Sequence, residues 1–88
     1  MKLQDIEKVT DYTVEEDFDN PNDVSVVLTV KLKNKGKYKE TPYIAVSYSD
    51  GEYCGCMLWN SNYDWIDEDL SKDVKKFARD YVEKNVEL

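Results

Sequence analysis

The segment Val24-Ser25-Val26-Val27-Leu28-Thr29-Val30-Lys31-Leu32-Lys33 carries the clearest fold signal in this 88-residue sequence. Valine and leucine occupy its even-numbered positions, whereas serine, threonine and lysine occupy most of the odd-numbered ones. Such a period of two, rich in β-branched residues, is typical of a strand with one buried side. The segment therefore predicts a β-strand over residues 24–33 whose even-numbered side chains face a core.

Neighbouring strands can be placed from the sequence on either side. Residues 12–18 alternate in the same way and predict the preceding strand. A three-residue loop at Asn34-Lys35-Gly36 would pair Leu28 with Pro42 and keep the large apolar residues on one side. A two-residue loop would shift the pairing by one residue. The large apolar residues of the following strand would then point to the opposite face of the sheet.

A strong hairpin signal introduces a fourth strand. Asp50-Gly51 suits a type I′ turn, in which both central residues have positive φ, and it would pair Tyr48 with Tyr53. Residues 53–59 then complete an antiparallel meander of four strands.

Helices are predicted at both ends of the chain. Apolar residues three apart favour two helical turns over residues 3–9. Ser71 is the predicted N-cap of a longer amphipathic helix. Its apolar stripe comprises Ile66, Leu70, Val74, Phe77, Ala78, Tyr81 and Val82. We expect a single α+β domain over residues 1–88, with a four-stranded antiparallel β-meander and both helices packed mainly on one face.

The charges are distributed in blocks. The chain carries 19 acidic and 12 basic residues and no histidine, for a net charge of −7. Residues 31–39 hold five lysines and no acid, whereas residues 40–70 hold seven acids and no base. A second acidic block, residues 15–23, surrounds the first predicted hairpin tip. The acidic balance argues against direct binding to nucleic acid or to an anionic membrane.

The sequence offers little for catalysis. Without histidine it lacks the commonest general base and the commonest metal ligand, and it has neither a glycine-rich phosphate loop nor calcium-loop spacing. The only cysteines, Cys54 and Cys56, lie just two residues apart on a predicted strand, where a disulfide between them is unlikely, and no third soft ligand completes a metal site. We therefore expect a cytoplasmic protein with no enzymatic activity, metal or cofactor, and with no signal peptide or membrane span.

Acids and aromatics combine just before the C-terminal helix. Trp59, Tyr63 and Trp65 border the acids of residues 64–69. Such acids are often only solvated complements to the helix dipole. Alternatively, the aromatics could anchor a basic partner while the carboxylates pair with its lysine or arginine side chains.

Three sequence fragments carry a family resemblance. They are Asp11-Tyr12-Thr13-Val14 after a short predicted helix, a hydrophobic strand ending at Gly36-x-Tyr38, and Trp59-Asn60 leading into Tyr63 and an acid-rich helix start. With these fragments, which span about half of the chain, the sequence resembles the small acidic anti-CRISPR proteins of phages and prophages in Gram-positive bacteria. In particular it resembles the type II-A inhibitors that imitate DNA. A fourth strand and a lysine-rich hairpin depart from that pattern.

The resemblance implies an inhibitor in the host bacterial cytoplasm that blocks the nucleic-acid-binding surface of an RNA-guided nuclease by charge mimicry. The partner-binding residues that it implies are Tyr63, Asp64, Trp65, Asp67, Glu68 and Asp69, with Asp50 and Glu52 on the neighbouring hairpin tip as second choices. An immunity or antitoxin-type protein that plugs a basic nuclease toxin would use the same surface chemistry. A self-associating structural domain is a third interpretation. The lysines of residues 31–39 have two interpretations. They form either a solvated edge that prevents aggregation or a basic hairpin tip that contacts phosphate or an acidic partner.

Overall fold

The computed structural model describes residues 1–88 and contains one antiparallel sheet and one long helix. A 3₁₀ helix at Leu3–Asp5 leads into five strands, which lie side by side in chain order. The elements are β1 (Ile6–Glu16), β2 (Asp23–Leu32), β3 (Tyr43–Ser49), β4 (Glu52–Trp59), β5 (Trp65–Ile66) and α1 (Lys72–Asn85). The α+β class with an antiparallel sheet and a C-terminal helix is confirmed. The prediction of four strands and two helices is wrong, because the sheet has five strands and only one helix is long.

The core lies between one face of the sheet and α1. Its fully buried side chains include Val74, Ala78 and Val82 from α1 and Val26, Leu28, Ile44, Val46 and Leu58 from the strands. Ser71 caps the helix as predicted, because its Oγ accepts a hydrogen bond from the Val74 amide at 3.3 Å. The predicted stripe begins too early, since Ile66 belongs to β5 and Leu70 precedes α1. No helix is both long and apolar enough to cross a bilayer.

The N-terminal helix predicted over residues 3–9 is wrong beyond its first turn. Only Leu3–Asp5 is helical, and the chain then enters β1 at Ile6. Two bulges near the start of β1 each add one residue opposite β2. Because a bulge brings residues three apart onto the same side of a strand, Ile6 and Val9 both pack against the core. The spacing of three that suggested a helix therefore belongs to a twice-bulged strand.

The connection between β2 and β3 is longer than the predicted three-residue loop. It runs over residues 33–42, and Leu28 pairs with Ile44. The predicted pairing of Leu28 with Pro42 is wrong by two residues, a shift that keeps every side chain on its predicted face. Pro42, which has no amide hydrogen to donate, lies buried just outside the ladder.

The β3–β4 hairpin turns where it was predicted. Asp50 and Gly51 have φ values of 52° and 82°, as a type I′ turn requires, and Tyr48 pairs with Tyr53. A bulge at Cys54 then moves the register by one residue, so the next core-facing residue of β4 is Cys56.

β5 joins β4 through a tight turn that the sequence interpretation missed. Trp59 and Trp65 pair across the two strands. The Asn60 side chain holds the turn together by accepting a hydrogen bond from the Asp64 amide at 3.0 Å. Tyr63 adopts a positive φ of 65°, which reverses the chain and positions its ring beside β3 and β4.

Candidate functional site

Two hairpin tips that are distant in sequence meet at one end of the sheet. They are the β1–β2 loop, residues 17–22, and the β3–β4 turn at Asp50-Gly51. Asp23 at the start of β2 pairs with Ser49 at the end of β3, and the Asp50 amide donates a hydrogen bond to the Asn22 carbonyl at 3.0 Å. The acids carried by both hairpins therefore form one surface.

This tip surface consists of seven carboxylates, namely Glu15, Glu16, Asp17, Asp19, Asp23, Asp50 and Glu52. None of the seven takes part in an ion pair within the chain. Except for Asp23, each carboxylate belongs to an exposed residue. The tip surface thus concentrates negative charge that the fold itself does not neutralise, an arrangement that attracts cationic groups.

A groove of about 580 Å³ extends from the tip surface along the sheet face opposite α1. Acids line one part of it, and hydroxyl groups line the neighbouring part. Ser49 Oγ donates to Asp23 Oδ1 at 2.6 Å, and the Oγ atoms of Ser25 and Ser47 lie 3.4 Å apart. Trp59 also lines the groove and offers an aromatic surface. Carboxylates, hydroxyls and an indole together suit a lysine or arginine side chain.

The residues predicted from 63 to 69 lie at the other end of the sheet, and Glu68 is occupied there. Its carboxylate accepts hydrogen bonds from Tyr38 Oη at 2.6 and 2.7 Å and pairs with Lys37 Nζ at 2.8 Å. It also pairs with the α-ammonium group of Met1. Burial alone would raise the pKa of Glu68, but the hydrogen bonds from Lys37, the N-terminus and Tyr38 prevail and lower it to about 2. Glu68 therefore fastens the N-terminus and the lysine-rich connection to the segment before α1.

The remaining predicted acids stay open to solvent. Asp64, Asp67 and Asp69 are exposed, and none of them forms an ion pair. The lysine-rich connection between β2 and β3 lies at this same end of the sheet, as the Lys37–Glu68 pair demonstrates. The local charge is therefore more balanced here than at the tip surface.

Of the two predicted aromatic anchors, Tyr63 is packed against other rings and Trp65 is exposed. The Tyr63 ring packs edge-to-face on Tyr43, with centroids 5.4 Å apart, and lies 5.7 Å from the ring of Trp59. Trp65 remains 64% exposed and sits opposite Trp59 in the sheet. Tyr63 therefore belongs to an aromatic cluster that braces the β4–β5 turn, and Trp65 is the freer of the two anchors.

The structure thus separates the eight predicted residues into two groups. Asp50 and Glu52, the second choices, lie on the tip surface, and the six residues from Tyr63 to Asp69 lie at the opposite end. The predicted set omitted the acids of residues 15–23, although their density in the sequence is plain. Their proximity to Asp50 follows from the meander, because β1–β2 and β3–β4 connections emerge at the same end of such a sheet.

Comparison of the chain with protein-family models, curated proteins and solved structures found no match. The resemblance to type II-A anti-CRISPR proteins therefore stays a prediction.

Proposed function

We propose that this protein is a non-enzymatic acidic binding protein whose tip surface occupies a basic, nucleic-acid-binding surface of another protein. The observation that carries the proposal is the convergence of seven carboxylates, free of internal ion pairs, from two separate hairpins. Lysine and arginine clusters that bind phosphates would accept such carboxylates in place of the phosphates.

The hairpins hold these carboxylates on a firm framework. Both ends of the β1–β2 loop continue into paired strands, and a backbone hydrogen bond links that loop to the neighbouring turn. A preorganised acidic surface loses less conformational entropy on binding than acids on a flexible tail. Long-range attraction between opposite charges also accelerates encounter, an effect that weakens as salt screens the charges.

Among partners with a basic nucleic-acid site, we propose an RNA-guided nuclease. The fragments at residues 11–14, 36–38 and 59–63 support this choice through their resemblance to type II-A inhibitors. Such a nuclease holds its heteroduplex in a positively charged channel and reads a short DNA motif with arginine side chains. Carboxylates placed in either site would exclude the target DNA.

Two variants with the same change in charge test which end of the sheet binds. The tip variant combines Asp17→Asn, Asp19→Asn, Asp50→Asn and Glu52→Gln. The control variant combines Glu40→Gln, Asp64→Asn, Asp67→Asn and Asp69→Asn. Each combination removes four negative charges from exposed residues. Amide replacements preserve side-chain shape, and asparagine retains the oxygen with which Asp17 accepts the Asp19 amide.

The assay is cleavage of a duplex target by a purified type II-A nuclease with its guide RNA, in the presence of each variant. We expect the unmodified protein and the control variant to inhibit cleavage, and the tip variant to lose at least about tenfold in potency. The inhibition should weaken as salt is raised. Equal potency of both variants would contradict the tip surface as the binding site. Absence of inhibition, with salt-sensitive capture of a nuclease toxin from a lysate, would instead favour an immunity protein.

A further inference from the structure

β1 forms one edge of the sheet, and no strand pairs with its outer side. From Asp11 to Glu16 it runs in unbroken register with β2, beyond the two bulges. This stretch contains neither lysine nor proline. Natural edge strands are usually protected by charged side chains, prolines, bulges or a covering element. These six residues contain no proline and no bulge, and their only protection is three acids, which repel acidic segments and leave the edge open to basic ones.

Hydrogen bonds identify which backbone groups face outward. The Asp17 amide donates to the Asp23 carbonyl at 2.9 Å, so amides of odd-numbered residues in this part of the strand point toward β2. The Tyr12 amide donates instead to the Asp11 carboxylate at 2.8 Å. Because direction alternates along a strand, the outward-facing N–H and C=O groups belong to Tyr12, Val14 and Glu16. Since Asp11 already accepts the Tyr12 amide, the N–H groups that an added strand can use directly are those of Val14 and Glu16.

The side chains along this edge differ between its two faces. Tyr12 and Val14 lie on the face that carries α1, yet they are 37% and 43% exposed because α1 packs mainly over β3 and β4. Asp11 and Glu15 lie on the opposite face and are exposed. An added strand would therefore meet apolar groups on one face and carboxylates on the other.

We propose that the β1 edge binds an extended segment of the partner as a sixth strand, in which apolar residues alternate with lysine or arginine. The apolar residues would lie beside Tyr12 and Val14, and the basic residues beside Asp11 and Glu15, because side chains in a strand alternate between faces. The basic character of this segment rests on the proposed function, since Glu15 also belongs to the tip surface.

A second copy of β1 suits this edge less well. Residues 11–16 carry three acids and no base, so antiparallel pairing of two such stretches gathers six carboxylates along one seam. In the register centred on Thr13, Asp11 would also lie directly opposite Glu15 twice. Like charges directly opposite each other destabilise a strand pair. Charge complementarity therefore favours a basic segment as the occupant.

The test uses a blocked nonapeptide of alternating valine and lysine, titrated into the ¹⁵N-labelled full-length protein. A control peptide has the same composition with its lysines grouped together. We expect amide shifts at Tyr12, Val14 and Glu16, and at least about tenfold weaker binding of the control peptide. Val14→Pro should weaken binding by a similar factor, because it removes an outward amide without removing a bond to β2. Val14→Thr should retain binding.

If Val14→Pro unfolds the protein, the same hydrogen bonds can be removed from the peptide instead. Two N-methylated peptides are made, one methylated at every odd residue and the other at every even residue. Binding should be abolished only in the peptide whose methylated amides would face β1. Equal binding of both peptides would overturn the proposal, since charge alone would then suffice. A concentration-dependent dimer in sedimentation that Val14→Pro abolishes would also overturn it, by assigning the edge to self-pairing.

The two proposals fail separately. If the nuclease assay does not distinguish the tip variant from its control, the proposed function fails, whereas peptide binding at β1 can still be observed. If the nuclease is inhibited and the peptide causes no shifts along β1, only the strand addition is wrong.

Discussion

Replacing Glu68 with glutamine should destabilise the protein at neutral pH, because this carboxylate joins three parts of the chain. It accepts hydrogen bonds from Tyr38, pairs with Lys37 and pairs with the N-terminal ammonium group. Its side chain is only 12% exposed. Glutamine keeps the shape of the side chain but removes the negative charge on which all three partners depend.

The pKa of Glu68 sets the size of the effect. Lowering this pKa from 4.5 to about 2 corresponds to about 3 kcal/mol of stabilisation of the ionised form. Both lysine and ammonium partners can also be solvated, so screening by water should leave about 1–2 kcal/mol. For a domain of this size, such a loss lowers Tm by roughly 5–15 °C.

The sign of the pH dependence follows from the same shift. A carboxyl group whose pKa is lower in the folded state stabilises the fold fully above its unfolded value of 4.5. That contribution is lost as the pH falls from about 4.5 toward 2, where Glu68 becomes protonated in the folded state as well. The difference in stability between the unmodified protein and Glu68→Gln should therefore shrink across this range.

Urea unfolding followed by tryptophan fluorescence at pH 7, 4 and 2.5 would measure this difference. Asp69→Asn is the matched control, because Asp69 lies in the same segment, is exposed and forms no ion pair. We expect the control to change the free energy of unfolding by less than about 0.5 kcal/mol. A Glu68→Gln protein as stable as the control at pH 7, or a deficit that persists unchanged at pH 2.5, would refute the reasoning.

Three further changes test the core, the turn and the thiols. Leu58→Ala should lower the free energy of unfolding, measured with urea, by about 2–5 kcal/mol, because Leu58 is fully buried. A loss below about 1 kcal/mol would contradict its place in the core. Gly51→Ala should cost about 1–2 kcal/mol because φ is 82° there, whereas Gly55→Ala, with open space around its Cα and no positive φ, should be nearly neutral. At pH 8, Cys54 should react rapidly with a disulfide reagent and Cys56 slowly, because burial raises the pKa of Cys56 to about 12. Cys54→Ser should therefore remove the fast phase of the reaction. If it removes the slow phase instead, Cys56 is the reactive thiol and the expectation is wrong.

The parts of the fold that follow from local pattern were predictable. The alternation in β2, the type I′ turn at Asp50-Gly51 and the Ser71 cap each depend on a few neighbouring residues, and each is present. The register between β2 and β3 was not predictable from turn signals, because Asn34-Lys35-Gly36 resembles a tight hairpin loop but belongs to a longer connection.

Bulges account for the errors in β1 and β4. A period of two presupposes an unbroken ladder, and an inserted residue converts a spacing of two into a spacing of three. In β1 this made Ile6 and Val9 resemble one face of a helix. In β4, strict alternation from Tyr53 would place Gly55 and Met57 toward α1, but the bulge at Cys54 places Cys56 and Leu58 there instead. Nothing in the local sequence marks the two insertions in β1, whereas Gly55, beside the insertion in β4, is the kind of strand glycine that often accompanies a bulge.

The tip surface that we propose as the binding site differs from the predicted segment of residues 63–69 because the position of the loops determines where charge accumulates. In a meander, successive connections emerge at alternate ends of the sheet. The acidic blocks at residues 15–23 and 50–52 therefore meet at one end, and the lysine-rich connection emerges at the other, beside residues 63–69. The Lys37–Glu68 pair is the direct consequence of that arrangement. The fold thus divides the acids between one strongly acidic end without basic residues and one mixed end, where the free carboxylates of Asp64, Asp67 and Asp69 share the surface with the lysine-rich connection.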